Sequence, residues 1–324
     1  MLPVWALAQP IGNAARTALV IGNSTYTKPD VALKNAASDA RLMKETLESL
    51  GFEVIFRVDV DRRAMQAAFR DFQELIKLKK GIATFYFAGH GVQVQGRNYI
   101  VPIGAHLVRD TDARENALDV DVMLQAVRDT GAQLNLFILD ACRNNPLLAT
   151  QRGAGEDAAE AGLAAMRPPE GALVAFATEP GRVASDGEGA GHGLYTKHLA
   201  KWMKAPNLTL EQVFKRTRES VKRESADAQT PTEYSMLTGA DLYLTRATKR
   251  IDKVKSDTTK AKINGQNRDL NPNTNSPSAK PQTVADVVTQ LKKNHQQYMD
   301  MVNSPETKRN AELLKEEFDK LKKK

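Results

Sequence analysis

Two stretches of this sequence set a nucleophile and a proton carrier at the ends of apolar runs. Tyr86-Phe87-Ala88-Gly89-His90-Gly91 holds a histidine, and Leu139-Asp140-Ala141-Cys142-Arg143-Asn144 holds the chain's only cysteine. A thiol works as a nucleophile when a base or acid partner stands beside it. Loops at the carboxyl ends of parallel strands are where an open α/β sheet gathers such groups. The two residues are 52 positions apart, so the segments between them must return the chain to the same edge.

The surrounding pattern predicts how. Apolar runs at 17–21, 52–58, 82–88, 134–139 and 172–178 read as strands, most of them apolar at nearly every position. Strands this continuously apolar are buried on both sides, as in a mostly parallel sheet covered by helices on both faces. Helical spacing supplies the covers. Residues 39–50 carry Leu42, Met43, Leu47 and Leu50, and Asp61 is placed to cap a helix bearing Met65, Phe69, Phe72, Leu75 and Ile76. Further helices are predicted over 120–127, 194–203 and 208–221.

Two breaks interrupt this βαβ order. Residues 143–170, rich in Ala, Gly, Glu and Arg, directly follow the cysteine and end in Pro168-Pro169; a loop of that length between core strands is functional or disordered. From about 247 to 282, Lys, Asn, Ser, Pro and Thr dominate, which predicts a flexible basic linker. Beyond it, Val284, Val287, Val288, Leu291, Tyr298 and Met301 repeat at helical spacing, as do Leu313, Leu314, Phe318 and Leu321. Helices of a 283–324 tail built this way need a partner surface, so they are expected to serve oligomerisation or docking.

Charge divides along the same boundary. The chain's formal +7 resides in residues 247–324, where 17 Lys or Arg face 10 Asp or Glu, and residues 1–246 are neutral. A neutral globular part leaves no electrostatic footprint for specific nucleic-acid binding. No stretch approaches the roughly 18 apolar residues of a membrane span. With one cysteine and five scattered histidines there is no zinc-type ligand spacing. At the amino terminus, Leu2 to Ala8 is apolar and ends in Ala6-Leu7-Ala8, like the remnant of a signal peptide. Residues 1–15 therefore read as a leader or such a remnant, with export to the periplasm expected if translation starts upstream and a cytoplasmic location otherwise.

Five motifs, taken in order, resemble the caspase superfamily, and within it the bacterial caspase-like proteases related to metacaspases. They are Ala18-Leu-Val-Ile-Gly-Asn23, Asn35-Ala-Ala-Ser-Asp-Ala40, Phe87-Ala-Gly-His-Gly91, Leu139-Asp-Ala-Cys-Arg-Asn-Asn-Pro146 and Ala175-Phe-Ala-Thr-Glu-Pro-Gly181. The resemblance spans about residues 16–246 and implies a mostly parallel six-stranded sheet. It also implies a Cys-His dyad: Cys142 adds to a peptide carbonyl, and His90 protonates the leaving amine and then activates water. The family's oxyanion hole maps onto backbone N–H groups of Cys142 and Gly91. No cofactor is required by this chemistry.

Specificity follows from the same comparison. Animal caspases place glutamine two residues before the nucleophile and use arginines to bind the substrate's carboxylate; here Asp140 occupies that place. Joined by Asp39, with Asp186 on the rim, it would favour Arg or Lys before the scissile bond. The competing roles are helix capping for Asp39 and solvation for Asp186. The loop 143–170 offers Arg152 and Arg167 to such an enzyme, which makes self-cleavage there a hypothesis. Asp110, Asp112, Asp119 and Asp121 lie where metacaspases bind calcium, but the paired-acid motif is missing; a helix cap at Asp119 and solvation of the others compete with an activating calcium site. His106, His192, His198 and His295 are read as ordinary surface or structural histidines. An idle scaffold recruiting partners through the tail, and a cysteine hydrolase or transpeptidase acting on non-protein substrates, stay open beside the peptidase.

Overall fold

Residues 14–26, 32–141, 162–182 and 191–245, with Thr289 and Lys293 beyond them, are described by the computed structural model. The chain divides into two units, Met1–Arg246 and Ala247–Lys324. Both described residues of the second are helical. The leader, the linker, most of the predicted tail helices and most of the 143–170 loop lie outside the described residues.

The sheet of the first unit is built from the apolar runs. β1 (Arg16–Gly22), β2 (Glu53–Val58), β3 (Ile82–Ala88), β7 (Leu134–Asp140), β8 (Ala172–Phe176) and β9 (Thr232–Ser235) run in the spatial order β2-β1-β3-β7-β8-β9. Pairing is parallel throughout except for β9, which closes the edge antiparallel to β8. Strands β3, β7 and β8 are buried along their whole length. Residues of this kind stabilise the fold by roughly 1.5–3 kcal/mol for each large side chain removed from water; Phe85, Phe87, Phe137, Leu19 and Ile21 are among the largest of them.

Strand order decides which face each helix covers. The chain steps from β1 outward to β2 and then back past β1 to β3. Right-handed crossovers in opposite directions place α1 (Ala36–Ser49) on one face and α2 (Arg62–Lys79) on the other. α5 (Leu194–Met203) packs beside α1 and α6 (Leu210–Glu224), and α4 (Val120–Arg128) beside α2. The start signals act as the residues suggest. Asp61 accepts the Ala64 N–H at 2.8 Å, Asp119 caps α4 through the N–H groups of Asp121 and Val122, and Thr209 forms a capping box with Gln212. Arg16, its guanidinium held below its usual pKa by burial, donates to the carbonyls of Leu50 and Leu244 at 2.6 and 2.9 Å, tying the first strand to the end of α1 and to the carboxyl end of the unit.

A second, small antiparallel sheet stands at the carboxyl end of β3. It consists of β4 (Gly91–Val94), β5 (Arg97–Ile100) and β6 (Leu118–Asp119), and α3 (Asp110–Asn116) lies between its last two strands in sequence. Asp112 caps α3 through the N–H groups of Val108 and Arg109, which hold its carboxyl below the usual range. Among the described residues no helix is long and apolar enough to cross a membrane.

Candidate active site

The sheet register brings the two motifs together. Ala88 at the end of β3 pairs with Asp140 at the end of β7, and the separation of 52 residues that relates this pair also relates His90 to Cys142. Past the last pair the strands stay in touch, with the Gly89 N–H reaching the Asp140 carbonyl at 3.3 Å. A Cβ on Gly91 would stand 2.8 Å from the carbonyl oxygen of Ala141. The backbone after His90 thus lies against Ala141, the residue before Cys142 in the chain. Cys142 itself is outside the described residues, as are Asp186 and Arg152.

His90 is 4% exposed and is held from behind. Its backbone N–H donates to the Tyr26 hydroxyl at 2.9 Å, its carbonyl accepts the Val101 N–H at 2.9 Å, and its ring lies 4.4 Å from the Tyr26 ring at 57°.

The two predicted carboxylates also converge. Asp39 lies in the first turn of α1 and is 1% exposed; Asp140 is 5% exposed. Asp39 is not the cap of its helix, a position Asn35 holds, because α1 starts at Ala36 and turns the aspartate inward. The amino end of α5 meets both. Gly193 N–H donates to Asp39 Oδ1 at 2.8 Å, and Thr196 O–H donates to Asp140 Oδ2 at 2.7 Å. Tyr86 O–H then donates to Thr196 Oγ1 at 2.6 Å, since the threonine's own proton is engaged. A Cβ on Gly193 would stand 2.9 Å from Asp39 Oδ2 and 3.5 Å from Asp140 Oδ2, so both carboxylates border one methyl-sized space.

The positive end of the α5 dipole and two donated hydrogen bonds act in favour of the ionised carboxylates, and burial and their mutual proximity act against it. Burial, and behind it the charges of Asp140 and Asp39, push the Tyr86 phenol well above its ordinary pKa, so it stays a donor. Such a pair, held by donors and a helix terminus, can receive a guanidinium or ammonium group.

Several contributors escaped the sequence reading. His192 was read as an ordinary histidine, yet its Nδ1 lies 3.4 Å from Asp39 Oδ1. Thr196 left a signal: it is the polar member of a stripe completed by Leu199, Ala200 and Met203 at helical spacing. Tyr26 left none. The remaining described histidines stand elsewhere, His198 bonded to Glu224 at 2.9 Å and His106 exposed. Arg167 is exposed in an extended segment anchored where Asn98 bonds both the N–H and the carbonyl of Ala164.

Comparison with known proteins agrees with this arrangement. A family model described as the caspase domain matches residues 15–242. Over 129 residues, 40% of this chain, the sequence is 33% identical to the mucosa-associated lymphoid tissue lymphoma translocation protein 1 of Homo sapiens. It is equally similar, over the same length, to the homolog from Mus musculus. The chain spans about 15% of the length of these two relatives.

Proposed function

The chain belongs to the caspase family, and we propose that it is a cysteine endopeptidase that cleaves after arginine or lysine. In this reading Cys142 yields its thiol proton to His90 and its Sγ attacks the scissile carbonyl carbon, forming an Sγ–C bond. His90 delivers a proton to the departing amine as the C–N bond breaks, leaving a thioester. His90 next takes a proton from water, whose oxygen attacks the thioester carbon and releases the thiol. The N–H groups of Gly91 and Cys142 hold the oxyanion; donors of this kind contribute roughly 3–4 kcal/mol each to the transition state. Asp39 and Asp140 bind the basic side chain before the scissile bond, with Asp186 on the rim. The peptidase occupies residues 16–246, and 247–282 links it to tail helices that dock or oligomerise.

The observation that supports the reading is the β3–β7 register, which pairs Ala88 with Asp140, the residues two positions before His90 and Cys142 in the chain. The test is hydrolysis of fluorogenic peptides ending in Arg, Lys or Asp by wild type, Cys142→Ala and His90→Ala. Cleavage after Arg or Lys that both variants lose is expected. Cleavage after Asp overturns the pocket assignment, and activity surviving in Cys142→Ala overturns the mechanism. The same preparations on a denaturing gel report self-cleavage at Arg152 or Arg167, which Cys142→Ala should lack.

A further inference from the structure

The segment after β1 reaches across the sheet end to His90, and it is itself firmly held. Asn23 accepts the Val60 N–H at 3.0 Å, the Ser24 and Thr25 N–H groups donate to Asp59 Oδ1 at 2.6 and 2.9 Å, and the Ser24 hydroxyl accepts the Ala37 N–H at 2.8 Å. This frame delivers Tyr26, buried like His90 itself. The phenol oxygen accepts the His90 N–H and donates to the Val101 carbonyl at 3.0 Å, while Val101 donates back to the His90 carbonyl at 2.9 Å. Both backbone groups of the histidine and one face of its ring are therefore fixed by a closed circuit through Tyr26 and Val101. Gly89 belongs to the same device: a Cβ there would stand 2.8 Å from the Tyr26 oxygen and 2.5 Å from Phe87 Cζ, so a larger residue would have to displace one ring or the other.

We propose that Tyr26 is a positioning residue for His90, fixing the backbone and ring plane that aim the imidazole at Cys142. Glycine neighbours give His90 no side-chain packing on either side to set its backbone, so outside contacts must do so, and displacement of a catalytic group by about 1 Å is enough to cost on the order of 100-fold in rate. The proposal rests on the Cys-His reading above, but its test does not require a substrate. Because the chain has one cysteine, alkylation by iodoacetamide reports on Cys142 alone.

The experiment measures that alkylation rate at pH 7 for the full chain as wild type, Tyr26→Phe, Tyr26→Leu, His90→Ala and the Tyr26→Leu/His90→Ala pair. kcat and KM are measured on the best of the peptides above. His90→Ala should slow alkylation about ten-fold. Tyr26→Leu should approach that loss, with kcat down about 10- to 100-fold and KM within about two-fold. Tyr26→Phe, which keeps the ring and loses the hydroxyl, should lose about 3- to 10-fold, and it decides the matter if the leucine variant does not fold. In the pair, Tyr26→Leu should add nothing to His90→Ala, because residues acting through one group are not additive. Full additivity, or wild-type rates in both Tyr26 variants beside a slow His90→Ala, overturns the role of Tyr26 alone. A His90→Ala variant alkylated at the wild-type rate overturns the dyad, and the positioning role with it.

Discussion

The α-carbon of Gly91 faces the carbonyl oxygen of Ala141 so closely that a methyl group on it would stand 2.8 Å from that oxygen. This contact joins the loop that bears the imidazole to the loop that bears the thiol. Gly91→Ala should force them apart. Overpacking of this sort costs about 1–3 kcal/mol, yet the larger effect is expected on chemistry, with kcat falling about 100-fold as the oxyanion donor moves. Thermal melts beside peptide kinetics separate the two effects; equal losses in both would mean that the contact serves folding only.

Gly193 tests the acidic pocket without straining the backbone. Its φ of −61° and ψ of 145° suit any residue, but its Cβ would enter the space bordered by Asp39 and Asp140. Gly193→Ala should raise KM for peptides ending in Arg about ten-fold or more, with only a modest fall in melting temperature as the Asp39 carboxylate, 2.9 Å from the new Cβ, gives way. Unchanged KM would mean that the basic side chain binds elsewhere.

Thr196→Val removes the hydroxyl between Tyr86 and Asp140 and keeps the shape. It leaves the buried Tyr86 proton and Asp140 Oδ2 without this link, which should cost about 1–3 kcal/mol of stability and weaken cleavage after Arg about ten-fold, mainly through KM. Tyr86→Phe should cost less activity, since Thr196 can still donate to Asp140. Urea melts and kinetics on the two variants rank these effects.

His198 gives a pH dependence of stability. Burial lowers its pKa below the ordinary 6.5, against the opposing pull of Glu224. The unfolded chain therefore takes up the proton first as pH falls, so this contribution is complete above about pH 6.5 and is lost as pH drops toward the folded-state value. His198→Gln, which retains a donor for Glu224, should flatten the decline in melting temperature between pH 7.5 and 5.5. A wild type and variant falling in parallel would place the sensitivity in another group.

The legible parts of this fold are those where burial is symmetrical. Runs such as Ile82–Ala88 and Leu134–Asp140 meet apolar surroundings on both faces, so composition alone marks them, and His90 and Cys142 were visible because each follows such a run. Thr232–Ser235 is a half-buried edge strand with Glu233 and Tyr234 inside it, and nothing in so short a run separates it from a loop. The β4–β5 hairpin turns at Gln95-Gly96, both at positive φ, where an Asn-Gly pair would have announced it. Asp39 was legible as a pocket acid through the family resemblance, while position alone left helix capping open; the start of α1 at Ala36 with Asn35 as its cap settles that choice. Contacts such as Tyr26 with His90 join residues 64 positions apart in the chain with no shared periodicity, and only the assembled sheet reveals them.

Parallel neighbours have a consequence for the protein's own synthesis. β3 and β7 are adjacent in the sheet but separated in sequence by a hairpin and two helices, so no local folding event can unite the groups at their tips. A growing chain carries its imidazole exposed to no thiol until β7 has docked beside β3. On the proposed mechanism, hydrolytic capacity would be withheld from the ribosome-bound fragment and would arrive only with the completed core.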